Sequence, residues 1–266
     1  MTDVDFDVDR YRDDVTALVR VASRRSLEWF RQPVAVENKL SEGFDPVTEA
    51  DRAVEDEIRA ELAARFPGHA ILGEERGESG SSRYRWVIDP IDGTRAFISG
   101  QPMWGTLVGL QVDGMPVAGW MHLPVTDETH VATPAGGWLH RLGRKTEPRV
   151  STTTAAADAI LLCTHPEMFE PGPQEAGFER LAAACRLVRF SGDCANYGLL
   201  AAGHVDLVVE NGLAPYDILP LLPIVEAAGG VITNLDGAAP VDGGFVVAAA
   251  TPELHAAALG LLTARS

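Results

Sequence analysis

The sequence predicts an α+β fold in which mixed sheets are covered by helices. The first half combines helical periodicity with an antiparallel run of strands, and the second half alternates short apolar strands with helices. The chain has 266 residues, of which 46% are hydrophobic and 23% charged, so it can bury a substantial core. We expect one compact unit with an N-terminal subdomain, residues 1–145, and a C-terminal α/β subdomain, residues 146–266.

The elements of the N-terminal half follow from changes in periodicity. Apolar side chains recur every four residues between 50 and 66, and Pro67 and Gly68 end that helix. Asp113 and Gly114 between two apolar runs are typical of a hairpin turn. The predicted elements are helices over 9–30 and 50–66, a loop over 31–45, and strands over 86–88, 106–112 and 116–121.

In the C-terminal half, short apolar strands alternate with helical segments. Thr251 followed by Pro252 marks the start of the last helix, because threonine is a capping residue and proline fits the first helical position. Strands are predicted over 159–163, 188–191, 205–209, 231–234 and 245–249, and helices over 178–187, 195–202, 217–228 and after 251.

Charge and composition argue against several classes of protein. The 22 Lys and Arg residues against 38 Asp and Glu give a net charge of −16, whereas binding to duplex nucleic acid needs a cationic face. No apolar run has the length of a membrane span, and the acidic start of the chain argues against a secretory signal. Three cysteines without a CxxC pair argue against a disulfide framework or zinc cluster, so we expect a cytoplasmic protein.

The segment WVIDPIDGTRAFISG, residues 86–100, is the most informative part of the sequence. A strand is predicted to end at Asp89, and Pro90 fixes a turn that lets Asp89 and Asp92 converge on one point. Gly93 permits close approach to a ligand, and a helix starting near Thr94 would offer free amides to a phosphate. Taken alone, the segment is explained equally well as a surface turn.

Other carboxylates stand in similar positions and favour a functional interpretation. Glu74 follows a short apolar strand in ILGEE, Asp217 precedes a helix in PYD, and Asp51 lies in DPVTEAD. Carboxylate oxygens, with no His or Cys in these blocks, suit Mg²⁺ or Mn²⁺ better than zinc. We therefore expect a divalent-cation site built from distant parts of the chain.

The order of these blocks resembles that of a known family. GEE, DPIDGT and a YD segment followed by EAAGG are similar to the motifs of the inositol monophosphatase family of Mg²⁺-dependent phosphatases, and they span most of the chain. The resemblance implies an αβαβα layered sandwich, a homodimer, and hydrolysis of a small phosphorylated metabolite. It also implies two or three Mg²⁺ ions, with Mn²⁺ as a possible substitute.

The resemblance implies roles for individual residues. The implied metal ligands are Glu74, Asp89, Asp92 and Asp217, with the main-chain carbonyl of Ile91. Thr94 and Asp51, with Glu74 nearby, would orient and deprotonate the attacking water, and the amides of Gly93 and Thr94 would hold the phosphate. Lys39 lies near the point where family members often carry a lysine in a loop over the metals.

Several of these positions also have a structural interpretation. We expect substrate contacts from Arg95, from Asp193 and Asn196 in a segment that joins a strand to a helix, and from Glu210, which stands where the resemblance implies a substrate-contacting glutamate. Asp193 also stands where it would cap the following helix, and Arg95 could equally project into solvent. The segment from Thr48 to Asp51 matches a helix capping box, which on sequence alone is the simpler role for Asp51.

Within the family, GTRAFISGQPMWGTLVGL and APYDILPLLPIVEAAGGVIT are most similar to histidinol-phosphate phosphatases. We therefore expect histidinol phosphate as the substrate, with Asp193 and Glu210 paired to its ammonium and imidazole groups. Inositol monophosphate, fructose bisphosphate and a phosphoadenosine phosphate are the alternative substrates. An inactive metal-bound regulatory relative is disfavoured, because every expected carboxylate and the Thr94–Asp51 pair are present.

Overall fold

A computed structural model describes residues 6–33, 35–38 and 46–264. In these ranges the helices are α1 (Arg12–Arg25), α2 (Glu49–Arg65), α3 (Thr94–Ile98), α4 (Pro173–Ala184), α5 (Cys194–Ala201), α6 (Pro215–Ile218), α7 (Leu221–Ala227) and α8 (Pro252–Thr263). The strands are β1 (Val36–Asn38), β2 (Pro46–Thr48), β3 (Ala70–Gly73), β4 (Gly77–Ser79), β5 (Tyr84–Asp92), β6 (Gly105–Val112), β7 (Met115–Leu123), β8 (Glu128–Thr133), β9 (Gly136–Arg141), β10 (Arg144–Thr146), β11 (Ile160–Cys163), β12 (Leu187–Phe190), β13 (Leu207–Leu213), β14 (Val231–Thr233) and β15 (Gly244–Ala249).

These strands form two large sheets and one short pair, β1 with β2. The order of the eight-stranded sheet is β10-β9-β8-β7-β6-β5-β3-β4, and its pairs are antiparallel except that β3 runs parallel to β5. The order of the five-stranded sheet is β12-β11-β13-β15-β14, in which β11 runs parallel to both its neighbours. The parallel β3–β5 pair places the C-terminal end of β3 beside the middle of β5, since Gly73 is paired with Ile88.

Helices α1 and α2 cover one face of the eight-stranded sheet. Val19 of α1 and Ile58 of α2 pack in one buried cluster with Trp86 of β5 and Trp120 of β7. The apolar stripe of each helix thus faces the sheet, as its 3.6-residue period requires.

Helices α5 and α7 lie between the two sheets. Because side chains alternate along a strand, Leu107 and Met121 point away from α1 and α2 and pack with Leu200 of α5 and Leu222 of α7. Val208 of the five-stranded sheet joins the same cluster. The middle helical layer therefore shares one apolar core with both sheets.

Helices α4 and α8 cover the outer face of the five-stranded sheet. Phe178 and Leu254 pack there against Leu161 and Val247. The layers are thus helix, sheet, helix, sheet and helix, which confirms the predicted αβαβα sandwich. None of the helices in the described ranges combines the length and the apolar character that crossing a bilayer requires.

The local predictions differ from the structure at several boundaries. The first helix ends at Arg25 rather than 30, with short 3₁₀ turns on both sides, and residues 36–38 of the predicted loop form β1. The predicted helix over 217–228 is divided into α6 and α7 around Pro220, which has no amide hydrogen to continue the ladder. The hairpin turn is confirmed: Asp113 and Gly114 have φ of 52° and 81°, as a tight turn between twisted strands requires.

Candidate active site

Asp89 and Asp92 both belong to β5, which continues through them instead of ending at Asp89. Side chains three residues apart on a regular strand point to opposite faces of the sheet. Here the partners of Asp89 and Asp92 on β6 are only two residues apart, so β5 contains a bulge between them. The Thr106 hydroxyl donates to the Pro90 carbonyl at 2.7 Å within this bulge. The extra residue returns both carboxylates to the same side.

Glu74 comes to lie beside Asp89 because β3 and β5 are parallel. Gly73 is paired with Ile88, so the next residues, Glu74 just after β3 and Asp89 within β5, lie side by side. The Glu74 amide donates to the Ile88 carbonyl at 3.2 Å, and the two carboxyl groups are hydrogen bonded to each other. Such a contact needs a shared proton or a cation between the two groups.

Asp217 reaches the same place from the first turn of α6. Its Oδ2 accepts a hydrogen bond from the Ala214 amide at 2.7 Å. The segment around α6 and α7 lies directly on the eight-stranded sheet, where a Cβ at Gly119 would stand 1.8 Å from the Pro220 carbonyl oxygen. A Cβ at Gly109 would also crowd Pro220. These two glycines let the segment approach the sheet closely enough to bring Asp217 to the other carboxylates.

Asp89, Asp92 and Asp217, called the acidic group below, have ligand oxygens within 4.8 Å of one another. Burial, followed by the charge of Glu74, raises the pKa of Asp89 well above its usual range, and burial and the charge of Asp193 do the same for Asp92. Asp89 Oδ1 is buried and has no hydrogen-bond partner among the described residues. An unsatisfied buried oxygen and concentrated negative charge on hard donors fit a divalent cation such as Mg²⁺. The acidic group can therefore hold a metal ion.

The Thr94 hydroxyl lies between Asp51 and the Ile91 carbonyl. Its Oγ1 is 3.3 Å from Asp51 Oδ1 and 3.0 Å from Ile91 O. The second oxygen of Asp51 accepts hydrogen bonds from the amide and hydroxyl of Thr48, which completes the capping box of α2. Asp51 therefore caps a helix and faces Thr94 at once, so the two interpretations that the sequence left open are compatible.

The turn that follows β5 brings Gly93 and Arg95 to the site. Gly93 has φ of 89° and precedes α3, and a Cβ there would lie 3.1 Å from the Asp193 carboxyl group. Glycine at this position thus allows Asp193 to approach the turn. Arg95 is exposed, and its charge acts to lower the pKa of Asp193, so the guanidinium lies on the side of that carboxylate.

A small pocket opens beside the acidic group and is lined in part by Asp193 and Glu210. Asp193 stands at the N-cap position just before α5, but in the described structure its side chain makes no capping hydrogen bond, so the capping interpretation is wrong. Asp193 follows Ser191 and Gly192, and all three residues have positive φ angles. This strained backbone conformation turns the Asp193 carboxylate away from the helix amides that it would otherwise cap. Burial, and then the charge of Glu210, raises the pKa of Asp193 to about 7.

Glu210 is buried and held by several donors. Its Oε1 accepts hydrogen bonds from the amide of Thr164 at 3.1 Å and from its hydroxyl, and its Oε2 accepts one from Tyr197 at 2.9 Å. Asn196 is also buried, with Nδ2 3.4 Å from Glu210 Oε1, so its amide group supports Glu210. Thr164 Oγ1 additionally accepts from the Asp193 amide at 3.0 Å and thereby links the two pocket carboxylates.

Sequence reasoning missed Thr164 and Glu55. Thr164 follows an apolar strand and carries no charge, so no sequence signal distinguishes it. Glu55 is fully buried and accepts hydrogen bonds from the two amides that follow Glu74; its only sequence signal is its place four residues after Asp51. Lys39 lies outside the described residues.

A larger cavity of about 640 Å³ lies between α4 and α8, away from the acidic group. Its described lining is mostly apolar, with Arg180 as its charged residue and without a carboxylate. It offers no ligand set for a metal ion, so the smaller pocket, which is lined by carboxylates, is the candidate active site.

Comparison with known proteins identifies the family to which the chain belongs. The chain is 35% identical to the bifunctional phosphatase IMPL2 of Arabidopsis thaliana over 88% of its own length and 66% of that protein. It is 34% identical to a histidinol-phosphatase of Chlorobaculum parvum, covering 83% of this chain and 84% of that one. It is also 35% identical to an inositol-1-monophosphatase of Mesorhizobium japonicum, and the match covers 77% of this chain and 78% of that protein.

Among solved structures, an inositol monophosphatase from Zymomonas mobilis matches with a TM-score of 0.83 and 37% identity, over 95% of this chain and 98% of that one. The fold and the site are therefore those of a class of phosphatases whose members act on small phosphorylated substrates. The chain belongs to the inositol monophosphatase family, whose sequence profile matches residues 8–265.

Proposed function

We propose that this protein is a Mg²⁺-dependent phosphomonoesterase that hydrolyses L-histidinol phosphate to L-histidinol and phosphate. The convergence of the acidic group carries the hydrolytic part of the proposal. The choice of substrate is supported by two carboxylates in the adjoining pocket, the half-buried Asp193 and the buried Glu210. A histidinol-phosphatase among the relatives supports the same choice.

The metal ions would be held by the acidic group together with Glu74 and the Ile91 carbonyl. Two or three Mg²⁺ ions are expected, and Mn²⁺ would substitute because it accepts the same oxygen donors. When bound, the ions neutralise the phosphoryl oxygens and the leaving alkoxide and lower the pKa of water.

The side chains around the acidic group would perform the remaining chemistry. The Thr94 hydroxyl orients the attacking water, and Asp51, 3.3 Å from that hydroxyl, takes up the proton. The first amides of the turn, those of Gly93 and Thr94, lack helical acceptors and hold the phosphate oxygens. Water then attacks phosphorus in line and the ester P–O bond breaks. The leaving alkoxide takes up a proton from solvent while Asp51 returns its proton to solvent, so no covalent enzyme intermediate is required.

Asp193 and Glu210 would recognise the remainder of the substrate. Histidinol phosphate carries an ammonium and an imidazole group, and a cation beside buried carboxylates forms charge-assisted hydrogen bonds. Asp193 is the more direct contact, because the oxygens of Glu210 already accept hydrogen bonds from Thr164 and Tyr197. Glu210 adds negative potential, and Asn196 holds it in place.

An inositol monophosphate is the second candidate substrate, favoured by the inositol-1-monophosphatase among the relatives. A phosphate-release panel with histidinol phosphate, inositol 1-phosphate and p-nitrophenyl phosphate, each with and without Mg²⁺, separates the two. We expect kcat/KM to be highest for histidinol phosphate. Preference for inositol 1-phosphate would transfer the proposal to that substrate, and no Mg²⁺-dependent release from any ester would refute both.

The variant Asp193→Asn sharpens the test. Replacing the carboxylate removes a charge partner of the ammonium-bearing substrate, whereas an aryl phosphate has no cationic group for Asp193 to pair with. We expect kcat/KM for histidinol phosphate to fall at least about tenfold, which is the loss of roughly 1.4 kcal/mol, while p-nitrophenyl phosphate is less affected. Equal losses of kcat/KM for the two substrates would mean that Asp193 does not recognise the cationic part of histidinol phosphate.

A further inference from the structure

Helix α2 carries three polar residues at four-residue intervals, Asp51, Glu55 and Arg59, on one of its faces. Asp51 at the first turn contacts Thr94. Glu55 lies one turn further and is fully buried, which is unusual for a glutamate on a helix that covers a sheet. The face therefore continues from the Thr94–Asp51 pair toward the turn that carries Glu74.

Both oxygens of Glu55 are occupied by that turn. Oε2 accepts a hydrogen bond from the Glu75 amide at 2.6 Å, and Oε1 accepts one from the Arg76 amide at 3.0 Å. Hydrogen bonds from amides to an ionised carboxylate are stronger than neutral ones. The two peptide groups that follow Glu74 are thus fixed by one buried side chain.

Gly73, which precedes Glu74, packs closely against the same Glu55 carboxylate. A Cβ at Gly73 would stand 2.2 Å from Glu55 Oε1. The residue before Glu74 can therefore have no side chain while Glu55 occupies this place. Glu55 contacts the chain on both sides of Glu74, and the backbone of Glu74 has little freedom.

Arg59 balances the buried charge and extends the contact. Its Nε donates to Glu55 Oε1 at 2.6 Å, its Nη1 donates to Ser79 Oγ at 3.1 Å, and its Nη2 donates to the Gly77 carbonyl. A buried carboxylate is tolerated when a cation and several donors surround it. The Glu55–Arg59 pair thus ties α2 to the whole stretch from Gly73 to β4.

We propose that Glu55 is a positioning residue that presets Glu74 for metal binding. It fixes Glu74 relative to Asp51, because the same helix face holds Asp51 at one end and the Glu74 turn at the other. Without Glu55, the turn would have to become ordered when the metal binds. The entropic cost of this ordering would make the binding free energy less favourable. This inference rests on the proposed metal-dependent function.

Glu55→Gln tests the proposal, with Glu61→Gln as the matched control. Glu61 lies on the same helix and pairs with Arg65 at the same four-residue spacing, at 3.3 Å, but this pair is exposed. The amide of glutamine offers a donor where Glu55 accepts from two backbone amides. Calorimetric titration of the metal-stripped full chain with MgCl₂ alone should show Mg²⁺ binding weakened roughly 10–100-fold by Glu55→Gln and unchanged within about twofold by Glu61→Gln.

Hydrogen exchange of residues 73–77 in the metal-free proteins is the second readout. We expect exchange there to rise in Glu55→Gln and not in Glu61→Gln, and activity toward p-nitrophenyl phosphate to recover as Mg²⁺ is raised. A lower melting temperature with wild-type Mg²⁺ affinity and wild-type exchange would show a structural role only and overturn the proposal.

Two further outcomes are distinguishable. If Glu55→Gln does not fold, Arg59→Lys keeps Glu55 but removes the fork that reaches Gly77 and Ser79, and it should weaken Mg²⁺ binding in the same direction by a smaller factor. Unchanged Mg²⁺ affinity in Arg59→Lys would then count against the proposal. If the wild-type protein binds no Mg²⁺, the proposed function itself fails and this inference fails with it.

Discussion

At the scale of single residues, the site depends on carboxylates that are costly to bring together. Burial and neighbouring negative charges raise the pKa of Asp89 and of Asp92, so in the absence of a cation both resist ionisation. A bound divalent ion would remove that penalty, because the same carboxylates would then serve as its ligands. The cost is therefore the physical reason to expect strong metal dependence of both activity and stability.

Asp92→Asn tests this directly. Asparagine keeps the size of the side chain and an oxygen that can still accept from the Cys194 amide, which now lies 2.5 Å from Asp92 Oδ2, so the fold should persist. It removes a charged donor, and we expect Mg²⁺ affinity and kcat to fall at least about 100-fold, beyond the usual effect of changing a residue that only supports a ligand. Asp113→Asn, at an exposed hairpin turn, is the control, and wild-type turnover in Asp92→Asn would remove this ligand assignment.

The Thr94–Asp51 pair predicts a different kinetic signature. If the Thr94 hydroxyl orients and activates water, Thr94→Ala should lower kcat by roughly 10²–10⁴ and change KM little, and Thr94→Ser should restore most of the rate. Stability should barely change, since Thr48 rather than Thr94 completes the cap of α2. Steady-state kinetics and thermal melting measure both, and an effect confined to KM would contradict the role.

At the scale of elements, the spacing of motifs predicted which residues meet but not how they meet. DPID placed two aspartates three residues apart, yet the bulge that turns them to one side depends on pairing with β6. The parallel arrangement of β3 and β5 was likewise invisible, because strand order is set by long-range packing and not by local propensity. Glu55 was missed because burial of a helical glutamate is decided by the turn that folds over it.

The approach of α6 and α7 to the sheet gives an element-scale prediction. Gly119→Ala places a methyl group against the Pro220 carbonyl, where rigid backbone leaves no room, so α6 should be displaced together with Asp217. We expect a loss of about 1–3 kcal/mol in the free energy of unfolding and weaker Mg²⁺ binding. Gly260→Ala on α8, where a Cβ meets nothing within 4 Å, should instead stabilise by about 0.5–1 kcal/mol. Urea unfolding and Mg²⁺ titration compare the two variants.

At the scale of the whole molecule, the eight-stranded sheet and the middle helical layer meet around a buried histidine. His130 of β8 is buried, and a Cβ at Gly198 of α5 would lie 2.9 Å from its Nε2. Burial, together with the charge of Arg141, lowers the pKa of His130 to about 4, and Glu128, 4.0 Å away, is the nearest carboxylate among its ion-pair contacts in the described residues. The contact between two layers is thus built around a neutral imidazole.

This predicts how stability depends on pH. Between pH 6.5 and 4 the unfolded chain binds a proton at His130 that the native protein does not, so the free energy of unfolding falls as the pH falls, by up to about 1.4 kcal/mol per pH unit. The acidic group acts in the opposite direction in metal-free protein, because Asp89 and Asp92 take up protons in the native state first. The difference between His130→Gln and wild type isolates the histidine: urea unfolding from pH 7 to 5 should be less pH-dependent in the variant by roughly one proton. Parallel stability curves for the two proteins would mean that His130 is protonated alike in both states, and that the layers tolerate a charge at their contact.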